Sequence, residues 1–326
     1  MLEVVEPGLL TTVQDGGRPG LGHLGVPVSG ACDRTSLAIA NLLIGNESDD
    51  AALELTVAGG RYRVLEPLTV GLAGVDLGGM ERASGRRLEP GASHVLNAGE
   101  RIEFTGGEAG RAYLAVPGGV DVPEVLGSRS TCLPGAFGGH EGRALRAGDV
   151  IRRAVGRSDR GPARGARWPG IPAPRRPGPI RVLAGPHLDR LGSGALECLV
   201  GTTWTVTAAS DRMGLRLAGA TIEGAGGELL SHGVPSGAIQ VTTSGLPVAL
   251  LADHQVTGGY PIVAVVATVD LPRLGQLVPG GTVRFAEVAL EEARAAQGAA
   301  REAFEQAAAA LRDADRWDDL WQSSGG

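Results

Sequence analysis

The sequence predicts an all-β protein built from two β domains, and three observations lead to this class. Its 53 glycines and 20 prolines require frequent turns, which favours many short strands over long helices. Hydrophobic residues make up 43% of the chain but aromatic residues only 3%, so aliphatic side chains must fill the core. A chain of 326 residues also exceeds one ordinary hydrophobic core. We predict a first domain over residues 1–155, a linker over 156–179, a second domain over 180–287 and a helical tail over 288–326.

The first predicted domain begins with a strand over residues 2–5 and continues to a helix that follows Asp33. Leu37, Ala40 and Ile44 have the spacing of one apolar helix face, and Asp33 is a good N-cap residue in front of them. A ligand contact is the alternative role for Asp33. Further strands are predicted over residues 53–57, 61–65, 68–73, 101–104 and 112–116.

The second predicted domain lies between two regions of distinct composition. Residues 156–179 are rich in glycine, proline and arginine and have no periodicity, which is typical of a linker. Beyond residue 288, alanine, glutamate, arginine and glutamine predict a helix with a weak apolar face, which we expect to be dispensable for the fold. Strands are predicted between them over residues 180–183, 203–207, 238–241, 247–252 and 282–287.

The two halves of the chain resemble each other internally. Segments 67–79 and 247–259 each combine proline and an aliphatic run with a later Gly-Gly pair. Segments 96–104 and 277–285 share the pattern Leu-x-x-Gly-x-x-aliphatic-x-Phe at nearly the same offset. Two matches in register indicate a tandem of related β domains, whose facing surfaces are a natural place for a binding cleft.

The absence of lysine excludes several kinds of chemistry, because all 30 basic residues are arginines. Schiff-base catalysis, a lysine general base and the phosphate-binding lysine of a P-loop each require a lysine side chain. Biotin is also carried on lysine, so this chain has no covalent biotin. A formal charge of −6 argues against nucleic acid as a partner.

Metal, disulfide and membrane signals are weak. Cys32, Cys132 and Cys198 are far apart, and the six histidines are dispersed, so neither a disulfide framework nor a dedicated metal site is expected. No apolar run has the length of a membrane span, and the N-terminus lacks the basic start of a signal peptide. We therefore expect a cytoplasmic protein with no membrane partner.

Residues 231–261 carry the densest set of polar candidates, since short apolar runs alternate there with glycine and proline. The two strands predicted in this stretch would bring its polar groups to one end. The Gly258-Gly259 pair permits positive φ and a close approach of the backbone to a ligand, although a tight hairpin that requires glycines is the alternative. The polar candidates are Ser231, Gln240, Asp253, His254, Thr257 and Tyr260.

Several of these segments resemble one known family. The resemblance covers residues 1–290 in order and is strongest at 8–20, 25–34, 40–46, 210–217, 237–240 and 257–261. These segments resemble the allophanate hydrolase subunit 2 family, also called the biotin-dependent carboxyltransferase domain family. It includes the C subunit of bacterial ATP-dependent 5-oxoprolinase. The resemblance implies two tandem cyclophilin-like β-barrel domains with a few short helices.

The chain departs from the family pattern at three positions. His232 stands where an acidic residue is expected, and Val256 and Ile262 replace a usual threonine and lysine. If relatives hold an anion with that lysine, this chain must use arginine for the same task.

The resemblance implies two activities. One belongs to a hydrolase component that works with A and B subunits to open 5-oxoproline to L-glutamate, with ATP used by the complex. The other is the carboxyltransferase component of a biotin-dependent urea carboxylase or allophanate hydrolase system. The absence of an attached carrier region favours the first activity. A third class is a non-catalytic protein that binds a kinase-inhibitor-like partner.

Both reactions develop negative charge on an oxygen atom, which fixed hydrogen-bond donors stabilise. Arginines supply such donors and aspartates supply bases, although a buried structural salt bridge is the alternative for each arginine–aspartate pair. We predict catalytic roles for Arg212, Asp33 and Asp253. We predict substrate-binding roles for Gln14, Asp15, Arg18, Arg216, Ser231, Gln240, Thr257, Gly258, Gly259 and Tyr260, and no metal ligand.

Overall fold

The mainly-β class is confirmed by a computed structural model that describes residues 1–154, 165–170, 178–224 and 229–323, with side chains described as far as residue 313. Most of the predicted linker therefore lies outside the described residues. The chain separates into two compact units, each discontinuous in sequence. The first comprises Met1–Gly17, Asp33–Pro174 and Arg301–Gly326, and the second comprises Arg18–Cys32 and Arg175–Ala300. The predicted domain boundaries stay a prediction.

The first unit contains two antiparallel five-stranded sheets, with strand orders β10-β1-β4-β8-β6 and β2-β3-β9-β5-β7. Their buried aliphatic residues, together with Tyr62 and Phe104, form one hydrophobic core. The strands are β1 (Leu2–Glu6), β2 (Leu10–Gln14), β3 (Ala52–Thr56), β4 (Gly60–Val64), β5 (Leu68–Gly74), β6 (Gly79–Glu81), β7 (Ala92–Leu96), β8 (Arg101–Phe104), β9 (Arg111–Ala115) and β10 (Val150–Ile151).

Helix α1 (Arg34–Leu42) belongs to the first unit and packs against its strand β5. Asp33 is its N-cap, as predicted, because its carboxylate accepts hydrogen bonds from the Ser36 backbone N–H at 2.9 Å and the Ser36 hydroxyl at 2.6 Å. The helix lies against β5 at Gly71, where an added Cβ would come within 1.9 Å of the Ala40 carbonyl oxygen. A larger residue at this position would push the helix off the sheet.

The second unit contains one eight-stranded sheet, of order β19-β12-β13-β16-β15-β18-β11-β20, and a two-stranded sheet of β14 and β17. Only one residue separates β19 from β20, which are the two ends of the sheet order, so the eight-stranded sheet is nearly closed into a barrel. The strands are β11 (Ile180–Ala184), β12 (Trp204–Val206), β13 (Gly214–Ala218), β14 (His232–Gly233), β15 (Ala238–Val241), β16 (Pro247–Leu250), β17 (Thr257–Gly258), β18 (Ile262–Val266), β19 (Thr282–Val283) and β20 (Phe285–Glu287).

Two short helices, α2 (Ala195–Gly201) and α3 (Leu271–Gly275), accompany this sheet. Trp204 lies fully buried in the core of the unit, and its indole N–H donates to the Leu199 carbonyl at 2.9 Å. Short 3-10 helices occur at Gly22–Leu24, Leu188–Arg190 and Thr268–Asp270.

The segment Arg18–Cys32 belongs to the second unit although it lies near the N-terminus. Its Ser29 backbone N–H donates to the Ala252 carbonyl at 3.0 Å. It also passes close to Gly275, where an added Cβ would come within 2.2 Å of the Cys32 carbonyl oxygen. These close backbone contacts connect residues that are more than two hundred positions apart in sequence, which no local pattern predicts.

The C-terminal tail forms the predicted helix, α4 (Leu290–Ser323). Its Phe304 ring lies 5.2 Å, between centroids, from the ring of Trp168. Ala308 and Leu311 are buried, with 5% and 4% of their surface exposed. This packing argues against our expectation that the tail is dispensable, because buried apolar groups contribute to stability.

The described residues contain neither a candidate membrane-spanning helix nor a candidate metal-binding cluster. No described helix is long and apolar enough to cross a membrane. Within the same residues, no group of three or more His, Cys, Asp or Glu side chains is arranged to hold a metal ion.

We predict that Leu311→Ala lowers the free energy of unfolding by about 2–5 kcal/mol, because it removes a buried aliphatic side chain and leaves a cavity. Urea denaturation measures this change. The neighbouring exposed site provides the matched control, since Arg312→Ala should change stability by no more than about 0.5 kcal/mol. Equal stability of the two variants would contradict the packing of the tail.

Candidate functional site

A cavity of about 190 Å³ lies in the second unit. Three of its lining residues, Arg216, Gln240 and Tyr260, are among the predicted substrate-binding residues. The remaining lining residues are Asp211, Met213, Gly214, Thr242, Val248, Leu250 and Gln255.

The pairing register of three neighbouring strands builds one wall of this cavity. Arg216 on β13 and Gln240 on β15 both pair with Val248 on β16, so these three residues form a row across the sheet. Gly214 pairs with Leu250 in the next row on the same face. Residues two apart therefore line the cavity, whereas the intervening Leu215, Leu217, Ile239, Val241 and Ala249 are buried in the hydrophobic core.

Hydrogen bonds fix the carboxamide of Gln240, which is only 2% exposed. Its Nε2 donates to the Tyr260 carbonyl at 3.4 Å, and its Oε1 accepts from Gln255 Nε2 at 3.3 Å. The side-chain nitrogen of Gln255 is therefore already engaged in a hydrogen bond within the protein. Its oxygen accepts no hydrogen bond from the part of the chain that the structure describes, so it remains an acceptor for a ligand.

Arg216 supplies the positive charge of the cavity. Its side chain is exposed, and its guanidinium forms no ion pair with any described residue. The backbone is held on both sides by Ser210, whose hydroxyl accepts from the Arg216 N–H at 3.0 Å and donates to the Arg216 carbonyl at 3.4 Å. The Asp211 Oδ1 is occupied by the N–H groups of Met213 and Gly214, at 2.8 and 3.2 Å. A charged guanidinium with a fixed backbone suits a small anion.

The Gly258-Gly259 pair differs from our expectation. Neither glycine has a positive φ in the described structure. The space around both glycines is limited instead. An added Cβ at Gly258 would lie 2.7 Å from Gln240 Nε2, and one at Gly259 would lie 2.9 Å from the Leu229 carbonyl oxygen. Gly258 therefore allows the carboxamide of Gln240 to take its place in the cavity wall.

Ser231 and Thr257 are exposed and lie outside the cavity wall. Thr257 is in β17, which pairs with β14 next to Ser231. Their predicted substrate-binding roles, like those of Gly258 and Gly259, stay predictions.

Arg212 and Asp253 form a buried ion pair in the second unit. The Arg212 Nε donates to Asp253 Oδ2 at 2.9 Å, and Nη2 donates to Oδ1 at 3.3 Å. The guanidinium also donates to the Gly30 carbonyl at 2.6 Å and lies 3.3 Å from the Cys32 sulfur. The two side chains are 2% and 0% exposed. This geometry favours the structural salt bridge that we named as the alternative to catalysis.

The N-terminal candidates lie in other environments. The Gln14 side chain is buried in the first unit and donates to the Thr12 hydroxyl at 3.0 Å and the Thr131 carbonyl at 3.2 Å. Asp15 accepts from the Ser128 hydroxyl at 2.6 Å and the Gly17 N–H at 2.7 Å. Arg18 is 1% exposed within the second unit. The contacts of Gln14 and Asp15 support the fold. The roles of all three side chains toward a ligand stay predictions, as does that of Asp33.

Sequence reasoning missed most of the cavity wall, including Thr242, Val248 and Gln255. The available signal was the alternation of residues along strands, because positions 214 and 216, 240 and 242, and 248 and 250 occupy the same faces. This signal becomes informative only when the register between strands is known.

Comparisons with known proteins identify similar chains. The family described as carboxyltransferase domain, subdomain A and B, matches residues 24–287. The chain is 37% identical to the C subunit of 5-oxoprolinase from Escherichia coli (strain K12), over 94% of this chain and 98% of that protein. It is 35% identical to urea amidolyase of Lachancea kluyveri, over 90% of this chain but 17% of that protein. The crystal structure of the Kluyveromyces lactis urea carboxylase superimposes with a TM-score of 0.85 at 29% identity, covering 94% of this chain and 29% of that chain.

We predict that Arg212→Lys lowers the free energy of unfolding by about 3 kcal/mol, because lysine cannot form the paired hydrogen bonds to Asp253 and Gly30. Thermal and urea denaturation measure the loss. Arg216→Lys is the matched control, since its guanidinium is exposed and its replacement should leave stability within about 0.5 kcal/mol. An Arg212→Lys protein as stable as the wild type would contradict the structural role.

Proposed function

This chain belongs to the carboxyltransferase domain, subdomain A and B, family, and we propose that it is the C subunit of an ATP-dependent 5-oxoprolinase. The observation that carries the proposal is the likeness to the Escherichia coli C subunit, which extends over nearly the whole of both chains. The chain then acts with A-like and B-like 5-oxoprolinase subunits, and the complex opens 5-oxoproline to L-glutamate.

The chemistry of the cavity supports a small amide that carries a carboxylate. The 5-oxoproline molecule has a carboxylate, a ring N–H and a ring carbonyl. The Arg216 guanidinium is suited to the carboxylate, and the Gln255 side-chain oxygen is suited to the N–H. A cavity of about 190 Å³ is also smaller than the roughly 300–1,000 Å³ of sites for drug-sized ligands, which fits a small substrate.

Opening a lactam places negative charge on the former ring carbonyl oxygen, and a donor is required there. The Tyr260 hydroxyl is the donor of the cavity wall that we assign to this task. ATP does not fit the same cavity, because a triphosphate needs several cationic groups and the wall contains one arginine beside one aspartate. We therefore place ATP elsewhere in the complex, where its hydrolysis supplies the free energy for ring opening.

The second candidate function is the carboxyltransferase component of a biotin-dependent urea carboxylase system. The likeness to the Kluyveromyces lactis urea carboxylase favours it. Since this chain has no lysine, the biotin would be carried by a partner protein. Urea is uncharged, so in this function the substrate carboxylate available to Arg216 is that of carboxybiotin.

We predict that the chain co-elutes with a B-like partner in size-exclusion chromatography at micromolar concentration. Addition of an A-like protein, ATP and 5-oxoproline should then release L-glutamate, measured by an amino-acid assay. Omission of each component is the control. A complex that carboxylates urea with carboxybiotin, and does not consume 5-oxoproline, would support the second candidate instead.

We predict that Arg216→Gln raises the KM of the complex for 5-oxoproline by about 10- to 100-fold, because a hydrogen bond to a charged group contributes about 1.5–3 kcal/mol. Steady-state kinetics measure this change, and the melting temperature should stay unchanged. Arg190→Gln is the matched control, since Arg190 is exposed in the same unit and outside the cavity wall. An unchanged KM for Arg216→Gln would remove this residue from the substrate site.

A further inference from the structure

Ser236 and His254 form a hydrogen-bonded pair in the second unit that the proposed function does not use. The Ser236 hydroxyl oxygen lies 3.0 Å from His254 Nε2. Ser236 is half-buried in the turn before β15, whereas His254 follows β16 and is only 4% exposed. The two residues are eighteen positions apart, and the pairing of β15 with β16 brings them together.

The second ring nitrogen of His254 determines which atom of the pair is the donor. His254 Nδ1 lies 2.6 Å from the Gln255 carbonyl oxygen, which can only accept a hydrogen bond. Nδ1 therefore carries the ring proton, and Nε2 of the neutral imidazole has a free lone pair. The Ser236 hydroxyl must then donate its proton toward Nε2. Burial lowers the pKa of His254 below the usual value, against the opposing effects of the Gln255 carbonyl and Asp253, so the neutral form predominates at pH 7.

This pair has the arrangement of a nucleophile and a general base, with a backbone carbonyl in the place of an orienting carboxylate. Asp253 does not take that place, because both of its carboxylate oxygens face Arg212. The backbone N–H of Ser236 donates no hydrogen bond to any of the described residues, so it remains available to the substrate carbonyl oxygen, which becomes negatively charged when the Ser236 oxygen attacks the adjacent carbon. Gly237 follows with φ +80, which gives the tight turn that presents the hydroxyl.

We propose that Ser236 is a nucleophile activated by His254, and that the pair accepts acyl groups from activated esters. The Ser236 oxygen attacks the ester carbonyl carbon, and its proton passes to His254 Nε2. The bond from carbon to the leaving oxygen breaks, and Nε2 returns the proton to that oxygen. The product is an ester on Ser236, which water hydrolyses with His254 again as the base. This activity is separate from the proposed 5-oxoprolinase function and needs no other protein.

The full chain is treated with a fluorophosphonate probe, which traps serine nucleophiles, and the product is measured by intact mass and peptide mapping. We expect one probe per chain, on Ser236. Ser236→Ala should abolish labelling, and His254→Gln should reduce its rate by about 100-fold or more, because general-base assistance contributes factors of this size. Ser193→Ala is the matched control, since Ser193 is an exposed serine of the same unit outside the pair, and it should label at the wild-type rate.

The melting temperature of each variant separates a loss of chemistry from a loss of fold. Labelling of the folded wild-type chain tests the proposal even where a variant is unstable. Absence of labelling on Ser236 in the wild type would overturn it, and so would wild-type labelling of a folded His254→Gln protein. A burst of p-nitrophenol from p-nitrophenyl acetate, equal to one per chain, is the second expected result. This readout is independent of 5-oxoproline turnover by the complex.

Discussion

The burial of one arginine side chain constrains much of the second unit. A buried guanidinium is stable only when carboxylate and carbonyl groups replace its lost water. Asp253 and the Gly30 carbonyl supply these acceptors to Arg212, and the Arg212 carbonyl in turn accepts from the Asp253 N–H at 2.9 Å. This one side chain therefore holds the segment Arg18–Cys32 against the residues that follow β16. In a chain without lysine, only arginine provides a cation of this kind.

The three residues Asp253–Gln255, which follow β16, contact three different partners. Asp253 faces Arg212, His254 faces Ser236, and Gln255 faces Gln240 at the cavity wall. These three consecutive side chains point to different neighbours because the backbone turns here, with the His254 N–H donating to the Leu251 carbonyl at 3.3 Å. The ion pair between Arg212 and Asp253 fixes the position of this turn, and it thereby positions His254 and Gln255. The Arg212–Asp253 ion pair thus influences the geometry of both the Ser236–His254 pair and the cavity wall at Gln255.

The cavity and the core of the second unit are the two faces of one sheet. Alternate residues of β13, β15 and β16 contribute aliphatic side chains to the core and polar or small side chains to the cavity. The carboxamide of Gln240 is buried within this polar face, and it is tolerated because both of its ends are hydrogen-bonded and Gly258 leaves room for it. Arg216 remains exposed at the same face, so the wall combines a hydrogen-bonded, buried carboxamide with one exposed positive charge.

The β class, most strand positions, the capped helix after Asp33 and the exclusion of lysine chemistry could be predicted from the amino-acid sequence, since each depends on composition or on spacing within one segment. The sequence also selected Arg216, Gln240 and Tyr260. Three further features of the candidate sites required the three-dimensional fold. The burial of Arg212, the contact of Ser236 with His254 and the steric role of Gly258 each depend on a partner in another segment. These contacts depend on the register between strands and on the path of the segment Arg18–Cys32 within the second unit. A register shift of one residue would turn every side chain of a strand to the opposite face.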